Sequence, residues 1–288
     1  MILYRYFFIL IILISNTFAN KIEIELKSLE IQNANVALIT AKSSKHNNLK
    51  VILEDKEIPF VKHPFKLENY YVLVPFNYYM KQKEYQIIVT YTLNDNKYFE
   101  GFTVNLKVGN YQSEQIKVLN SKVKLSQTHQ KRVSQEYKEA MSIYTATSKE
   151  SYWFEDFIYP LQSKITSDFG TKRVYNNSIK SYHSGIDFKA SMNTKVKAAN
   201  TGIVRLSKNR FYAGNSIVID HGQGIYSCYY HLNKTFVNVG DFVQKEDIIG
   251  LSGNTGRTTG PHLHFATFVN GIQISPVKLF ETLNSLNN

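Results

Sequence analysis

The sequence predicts a mainly β protein: an antiparallel β-sheet domain in the C-terminal half, preceded by a β-rich N-terminal domain and a connecting helix. Three observations predict it. Short runs rich in Val, Ile, Tyr and Phe recur in both halves with period-two alternation. Turn residues separate them, Asn94-Asp95-Asn96 in the first half and a crowd of glycines over residues 214–260 in the second. Between the halves the apolar period becomes helical, at Val133, Tyr137, Ala140, Met141 and Tyr144.

In chain order, residues 1–19 read as a cleavable signal peptide. A basic Arg5 precedes an uncharged run over 6–14, then polar Ser15 and Asn16 and small Thr17 and Ala19. The apolar run is shorter than a bilayer span needs; an uncleaved membrane anchor is the alternative. Residues 20–125 form the β-rich N-terminal domain, with strands expected over 22–26, 36–40, 51–54, 71–74, 86–93 and 102–108. That pattern belongs to an antiparallel sandwich or barrel. No cluster of His, Asp or Glu lies there, so it reads as a structural or regulatory module. Residues 126–156 form a helical connector whose apolar stripe is a packing face, followed by a polar stretch holding Trp153. Residues 157–288 form a turn-rich antiparallel domain with strands over 202–206, 216–220, 225–231, 248–251 and 262–269 and a C-terminal tail over 276–288.

Composition narrows the function classes. The 288 residues suffice for two domains, and 43% hydrophobic against 20% charged residues argues for packed cores rather than disorder. A formal charge of +11 favours anionic surfaces such as cell wall or membrane headgroups. Nucleic acid is not expected as a partner, because export removes the chain from it and the lysines are scattered. The lone Cys228 allows neither a disulfide framework nor a thiolate metal site, and reads as packing.

His46, His63 and His129 lie in polar segments and are background. His221, within Asp220-His221-Gly222-Gln223-Gly224, reads as a hairpin-turn residue without a role. The other four histidines lie in Tyr182-His183-Ser184-Gly185-Ile186-Asp187, Tyr229-Tyr230-His231 and Gly260-Pro261-His262-Leu263-His264. Residues two apart in a strand share a face, so His262 and His264 project side by side. A catalytic zinc takes three protein ligands and leaves a fourth position for water. His183 with Asp187 could supply two and the His262/His264 strand the third. One carboxylate with two imidazoles leaves the ion enough residual charge to acidify its water. Spacing alone leaves open both a metal site and a set of internally satisfied histidines.

Taken together, these stretches resemble the lysostaphin-type, LytM-like zinc metallopeptidases that cut peptidoglycan. Supporting phrases are Ile165-Thr166-Ser167-Asp168-Phe169-Gly170, residues 214–222, and Gly253-Asn254-Thr255-Gly256. The resemblance covers roughly residues 157–280. It implies His183, Asp187 and His264 as Zn2+ ligands, and His231 and His262 as the pair handling protons and the developing oxyanion. Which of the two is the base stays open. It further implies peptidoglycan stem peptides as substrate, cleaved by a cross-link endopeptidase, with carboxypeptidase trimming as a second mode. The expected setting is the periplasm, with a role in cell-wall remodelling or cell shape. The N-terminal half is similar only broadly to the β-rich regulatory regions of some Gram-negative members, from which intramolecular inhibition is expected. A different class is the alternative: a non-catalytic wall-binding or amidase-activating module, against which the unsubstituted histidines speak. Groove candidates are Asn215, Tyr229, Arg257, Thr258 and Thr259. Tyr229 is expected on the face of His231, with Cys228 and Tyr230 on the other.

Overall fold

The structure is a computed structural model that describes residues 22–43, 46–116, 125–175 and 179–287. The expected signal peptide lies outside the described residues. Among the described residues, ten strands precede the first helix: β1 Glu23–Leu26, β2 Glu30–Gln32, β3 Asn35–Lys42, β4 Asn47–Leu53, β5 Lys56–Pro59, β6 Val61–Lys62, β7 Asn69–Phe76, β8 Lys83–Leu93, β9 Asn96–Lys107 and β10 Ser113–Ile116. The first nine form two sheets, ordered β1-β3-β7-β6 and β2-β9-β8-β4-β5. Ala37, Ile39, Val72 and Val74 from one pack against Val51, Ile87, Val89 and Leu106 from the other, giving the sandwich form of the expected architecture. Asn94 and Asp95, both at positive φ, make the two-residue turn that closes β8 onto β9.

Helix α1, Gln127–Tyr144, follows and starts where Ser126 accepts a hydrogen bond from the His129 amide at 3.3 Å. Only the C-terminal part of the expected stripe packs closely. Ala140 and Tyr144 are buried, whereas Tyr137 is exposed.

The C-terminal half supplies β11 Ile165–Ser167, β12 Lys172–Tyr175, β13 Ile179–Tyr182, β14 Ile186–Lys189, β15 Lys195–Lys197, β16 Gly202–Arg210, β17 Gly214–Asp220, β18 Ile225–Leu232, β19 Lys234–Thr235, β20 Phe242–Val243, β21 Ile248–Leu251, β22 His262–Val269 and β23 Ile272–Ile274. Its main sheet runs β11-β14-β22-β18-β17-β16-β20, with β23 on β22. Strands β12 and β13 join β10 in a small separate sheet, in which β10 and β12 are parallel. One face of the main sheet carries Phe188, Ile217, Tyr229, Leu263 and Phe265 into a dry core. The other face carries Val218, Cys228, Ala266 and Phe268 beneath Ala140 and Tyr144 of α1.

Two features differ from the sequence reading. The segment read as a tail is helix α2, Pro276–Asn284, with Pro276 in its first turn. Its Leu279, Phe280 and Leu283 are buried in the core, so helical spacing was present but short. Second, the core does not stop between the halves. Val36, Leu38, Tyr71 and Leu73, on the outer face of β3 and β7, join Trp153, Phe157 and the C-terminal core. Tyr71 also donates to Gln223 at 2.5 Å. Strand β3 is buried on both faces, which accounts for its nearly unbroken apolar run.

Candidate metal centre

Neighbouring strands bring the first ligands together. Asp187 on β14 stands opposite His264 on β22, and His264 opposite Tyr230 on β18. Leu263 and Phe265 are fully buried on the opposite face, so alternation along β22 separates a polar face from the dry core as expected. His183 follows β13 directly, where its amide donates to Thr171 O at 2.8 Å and its carbonyl accepts from Gly170 N at 2.8 Å. Gly185 is needed between them. A Cβ there would meet the Phe265 carbonyl oxygen at 2.4 Å and His264 Nε2 at 2.6 Å.

Three atoms converge. His183 Nε2 lies 3.0 Å from Asp187 Oδ1 and 2.9 Å from His264 Nδ1, and His264 Nδ1 lies 2.9 Å from Asp187 Oδ1. His183 Nδ1 faces the Asp168 carbonyl oxygen at 2.9 Å and Ser167 Oγ at 3.1 Å. A carbonyl requires the proton on Nδ1, so the neutral ring presents a bare lone pair at Nε2. Three electron-rich atoms facing one another repel unless a cation sits among them. Tetrahedral zinc with ligands at about 2.0–2.1 Å separates them by roughly 3.3 Å, close to what is seen. Among the described residues this is the one group of His, Cys, Asp or Glu side chains able to hold a metal. Burial alone would raise the Asp187 pKa; where no cation is bound, the short contacts to the His183 and His264 rings require ring protons between them, and hydrogen bonds of that kind outweigh burial and hold the carboxylate ionised, well below the usual range. Burial pushes His264 down to about 4, keeping it neutral, as a ligand must be.

His231 and His262 stand beside this group, their ring centroids 4.8 Å apart. Each is oriented by a backbone carbonyl: His231 Nδ1 by Thr255 O at 2.8 Å, and His262 Nδ1 by Gly260 O at 2.8 Å. The unbonded Nε2 of His262 lies 3.6 Å from Asp187 Oδ1. Burial, with the nearby His264 and His262 rings, pushes His231 down to about 3.

The groove candidates separate. Tyr229 is not in a groove. It is fully buried on the core face, where its hydroxyl accepts from Ala199 N at 2.7 Å. Strand parity fails because Asn215 pairs with Leu232 while Ile217 pairs with Tyr229, leaving an extra residue in β18, and His231 sits there at φ +60°. The bulge turns His231 to the metal side together with Tyr230, whose ring stacks on His264 at 5.4 Å. Asn215 binds the Asn233 carbonyl and accepts from Asn209, tying loops together. Arg257 lies over the Tyr212 ring at 4.1 Å. Thr258 is brought to His262, its hydroxyl 3.4 Å from Nδ1 and donating to Gly260 O. His221, read as a turn residue, is fully buried and bonded to Thr201 O at 2.8 Å and Ser227 Oγ at 2.7 Å.

Two residues escaped sequence reasoning. Thr255 positions His231 through its carbonyl, and its signal was the Gly253-Asn254-Thr255-Gly256 phrase. Arg173 places Nη2 3.5 Å from Asp187 Oδ2 and 3.1 Å from Ser167 Oγ, while its Nε donates to Glu114 of β10 at 2.5 Å.

The fold and this cluster define a β-sheet domain with a site of two histidines and one aspartate suited to zinc. Residues 181–276 match peptidase family M23, and this stretch is a domain of the LytM type. A stretch of 123 residues is 41% identical to the peptidoglycan DD-endopeptidase ShyA of Vibrio cholerae, covering 42% of this chain and 29% of that one. Another, of 131 residues, is 32% identical to the DD-carboxypeptidase/endopeptidase Mpg of Neisseria meningitidis, covering 46% and 30%. The chain thus spans under a third of the length of these two relatives. A Pseudomonas aeruginosa structure assigned to peptidase M23 superposes with a TM-score of 0.66 over 88% of this chain and 96% of its own, at 22% identity, and shares the fold.

Proposed function

We propose that this protein is an exported zinc metallopeptidase that hydrolyses peptide bonds in peptidoglycan, as a cross-link endopeptidase with carboxypeptidase trimming as a second mode. The observation that carries the reading is the mutual approach of His183 Nε2, Asp187 Oδ1 and His264 Nδ1, with the edges of His231 and His262 beside them. These three side chains would hold the ion. Bound zinc supplies Lewis acidity, polarising a scissile carbonyl and lowering the pKa of water. The chain's own residues do the rest. Of His231 and His262, one accepts the proton of the attacking water at its free Nε2, and the other, protonated, donates to the oxyanion as the carbonyl becomes tetrahedral. Asp168 and Ser167 hold the His183 ring, while Thr255 and Gly260 hold the other two.

Incubation with purified sacculi tests this. New soluble or shortened muropeptides are expected from the wild type and none from Asp187→Ala. Wall binding without new products would favour the non-catalytic module instead.

The division into 20–125, 126–156 and 157–288 is read as functional, with the first part restraining the last. Support comes from β10, whose Glu114 grips Arg173 beside Asp187. Glu114→Gln is expected to raise kcat/KM several-fold, and an unchanged value would remove the restraint from the account. The periplasmic setting and a part in cell-wall remodelling or cell shape follow from the expected signal peptide and the substrate. No helix among the described residues is long and apolar enough to cross a membrane. Mass analysis of the exported chain is expected to find Asn20 at its start, and a retained Met1 would indicate the anchor instead.

A further inference from the structure

A cavity of about 450 Å³ opens on the sheet face that carries His264, between the β7–β8 connection, α1 and strands β13, β16, β18 and β22. It shares a wall with the metal group. Tyr230, whose ring stacks on His264 at 5.4 Å, lines it, and so does Tyr182, the residue before His183. Tyr78 stacks flat on Tyr182 at 3.9 Å. Tyr79 and Tyr137, 70% and 64% exposed, stand at its rim.

Arg210, at the end of β16, also lines this cavity, and its charge is unanswered. Its Nε is buried without a hydrogen-bond partner. Nη2 reaches the Glu136 carbonyl at 3.4 Å, the Tyr144 hydroxyl is within hydrogen-bonding reach and the guanidinium faces the Tyr230 ring, and none of these partners is an anion. The Glu136 carboxylate is already taken by Arg132 at 2.7 Å and by the Phe211 amide at 2.9 Å. Every Asp and Glu of the chain lies among the described residues, and none forms an ion pair with Arg210. The acidic protons around it do not compensate either. Burial pushes the Cys228 thiol up to about 11 and holds Tyr144 and Tyr230 far above their ordinary range, so all three are neutral. A half-buried guanidinium with an orphaned N–H is costly unless an anion completes it. Its planar fork suits a carboxylate.

We propose that this cleft is a subsite for a carboxylate-bearing peptide, the arm of the substrate that flanks the scissile bond, with Arg210 binding the carboxylate and the tyrosines flanking the chain. The proposal rests on the peptidase reading of the metal centre. Distance fits it. The Arg210 Cζ lies 5.9 Å from the Tyr230 ring centroid, and the His264 ring centroid lies 5.4 Å from that same point. An extended peptide rising about 3.3 Å per residue bridges the two points in roughly three residues. The subsite is also built from both halves of the chain, since Tyr78 and Tyr79 come from the N-terminal sandwich.

The test uses the full chain and two synthetic cross-linked stem peptides that differ only in one carboxyl group beside the scissile bond, free or amidated. The wild type is expected to favour the free acid, and Arg210→Gln to collapse that preference. The predicted loss in kcat/KM for the acid is about 10- to 100-fold, mostly in KM, the size of a hydrogen bond to a charged group. Arg210→Lys is expected to recover part of it, and Tyr79→Ala at the exposed rim to raise KM several-fold with zinc content intact. Equal losses on both peptides, or no preference in the wild type, overturn the subsite. If the wild type cleaves neither peptide, the peptidase reading fails separately. Calorimetry then decides on the cleft: binding of the acid that is weakened in Arg210→Gln supports it, and equal binding to both proteins overturns it.

Discussion

The two halves of this chain are built alike and spend their interiors differently. Both are mainly antiparallel sheets closed around Val, Ile, Leu and aromatic side chains. Among the described residues, the N-terminal half buries only Asn33 and Thr90 of its polar residues, whereas the C-terminal half buries His183, Asp187, Asp220, His221, His231 and His264, among others. Burying a polar group is costly unless it is bonded, so each of these needs an account. Within the C-terminal half the contrast recurs in sharper form. His221 has both ring nitrogens matched to protein oxygens, and Asp220 is bonded to Arg205 and to the Gly222 amide. His183, Asp187 and His264 have no such closed pairing and instead point their lone pairs at one another. Burial with satisfaction marks structure, and burial with convergent, unanswered lone pairs marks a site for a cation.

The largest expected effect tests that distinction. Asp187→Ala or His264→Ala should reduce bound zinc to near background and abolish muropeptide cleavage, read by metal analysis and product mass. Zinc retained by both variants would mean that the cluster is merely structural. Next, His231→Ala and His262→Ala should each keep the metal and lower kcat by about 10²- to 10⁴-fold, the range for a lost proton-transfer group. Loss of zinc in either would move that histidine from the accessory pair to the ligands. On the other side of the comparison, Phe76→Ala in the dry N-terminal sandwich should cost about 3–5 kcal/mol in denaturant unfolding with zinc content unchanged. A smaller and pH-dependent effect belongs to His221. Burial lowers its pKa to about 4 in the folded state, against an ordinary value of 6.5. The unfolded chain therefore binds more protons between those values, and stability should fall as the pH drops through that window. His221→Gln should flatten that slope, and an unchanged slope would place the titration elsewhere. Smallest of all, Lys50→Ala breaks an exposed 2.7 Å pair with Glu57 and should cost under about 1 kcal/mol.

Much of this was legible in the sequence, for identifiable reasons. Alternation is local, so the strands of both halves and the shared face of His262 and His264 could be read from residue order. Helix α1 showed a clear change of period. Helix α2 was too short for its three apolar positions to outweigh a polar C-terminus. The position of Tyr229 was misread because one extra residue at His231 reverses parity, and positive φ leaves no signature in a histidine. Arg173 reaches Asp187 and Ser167 from a neighbouring sheet, and Thr255 acts through its backbone carbonyl, neither of which residue types announce. The outer face of β3 and the Arg210 cleft depend on segments more than a hundred residues apart, and no local pattern encodes that meeting.

The most direct test is a mass-resolved digest of defined cross-linked muropeptides by the full chain, before and after chelation and after zinc is restored. Cleavage of a peptide bond that disappears with the chelator and returns with zinc is the predicted result. Turnover that continues unchanged in metal-free protein would contradict the account.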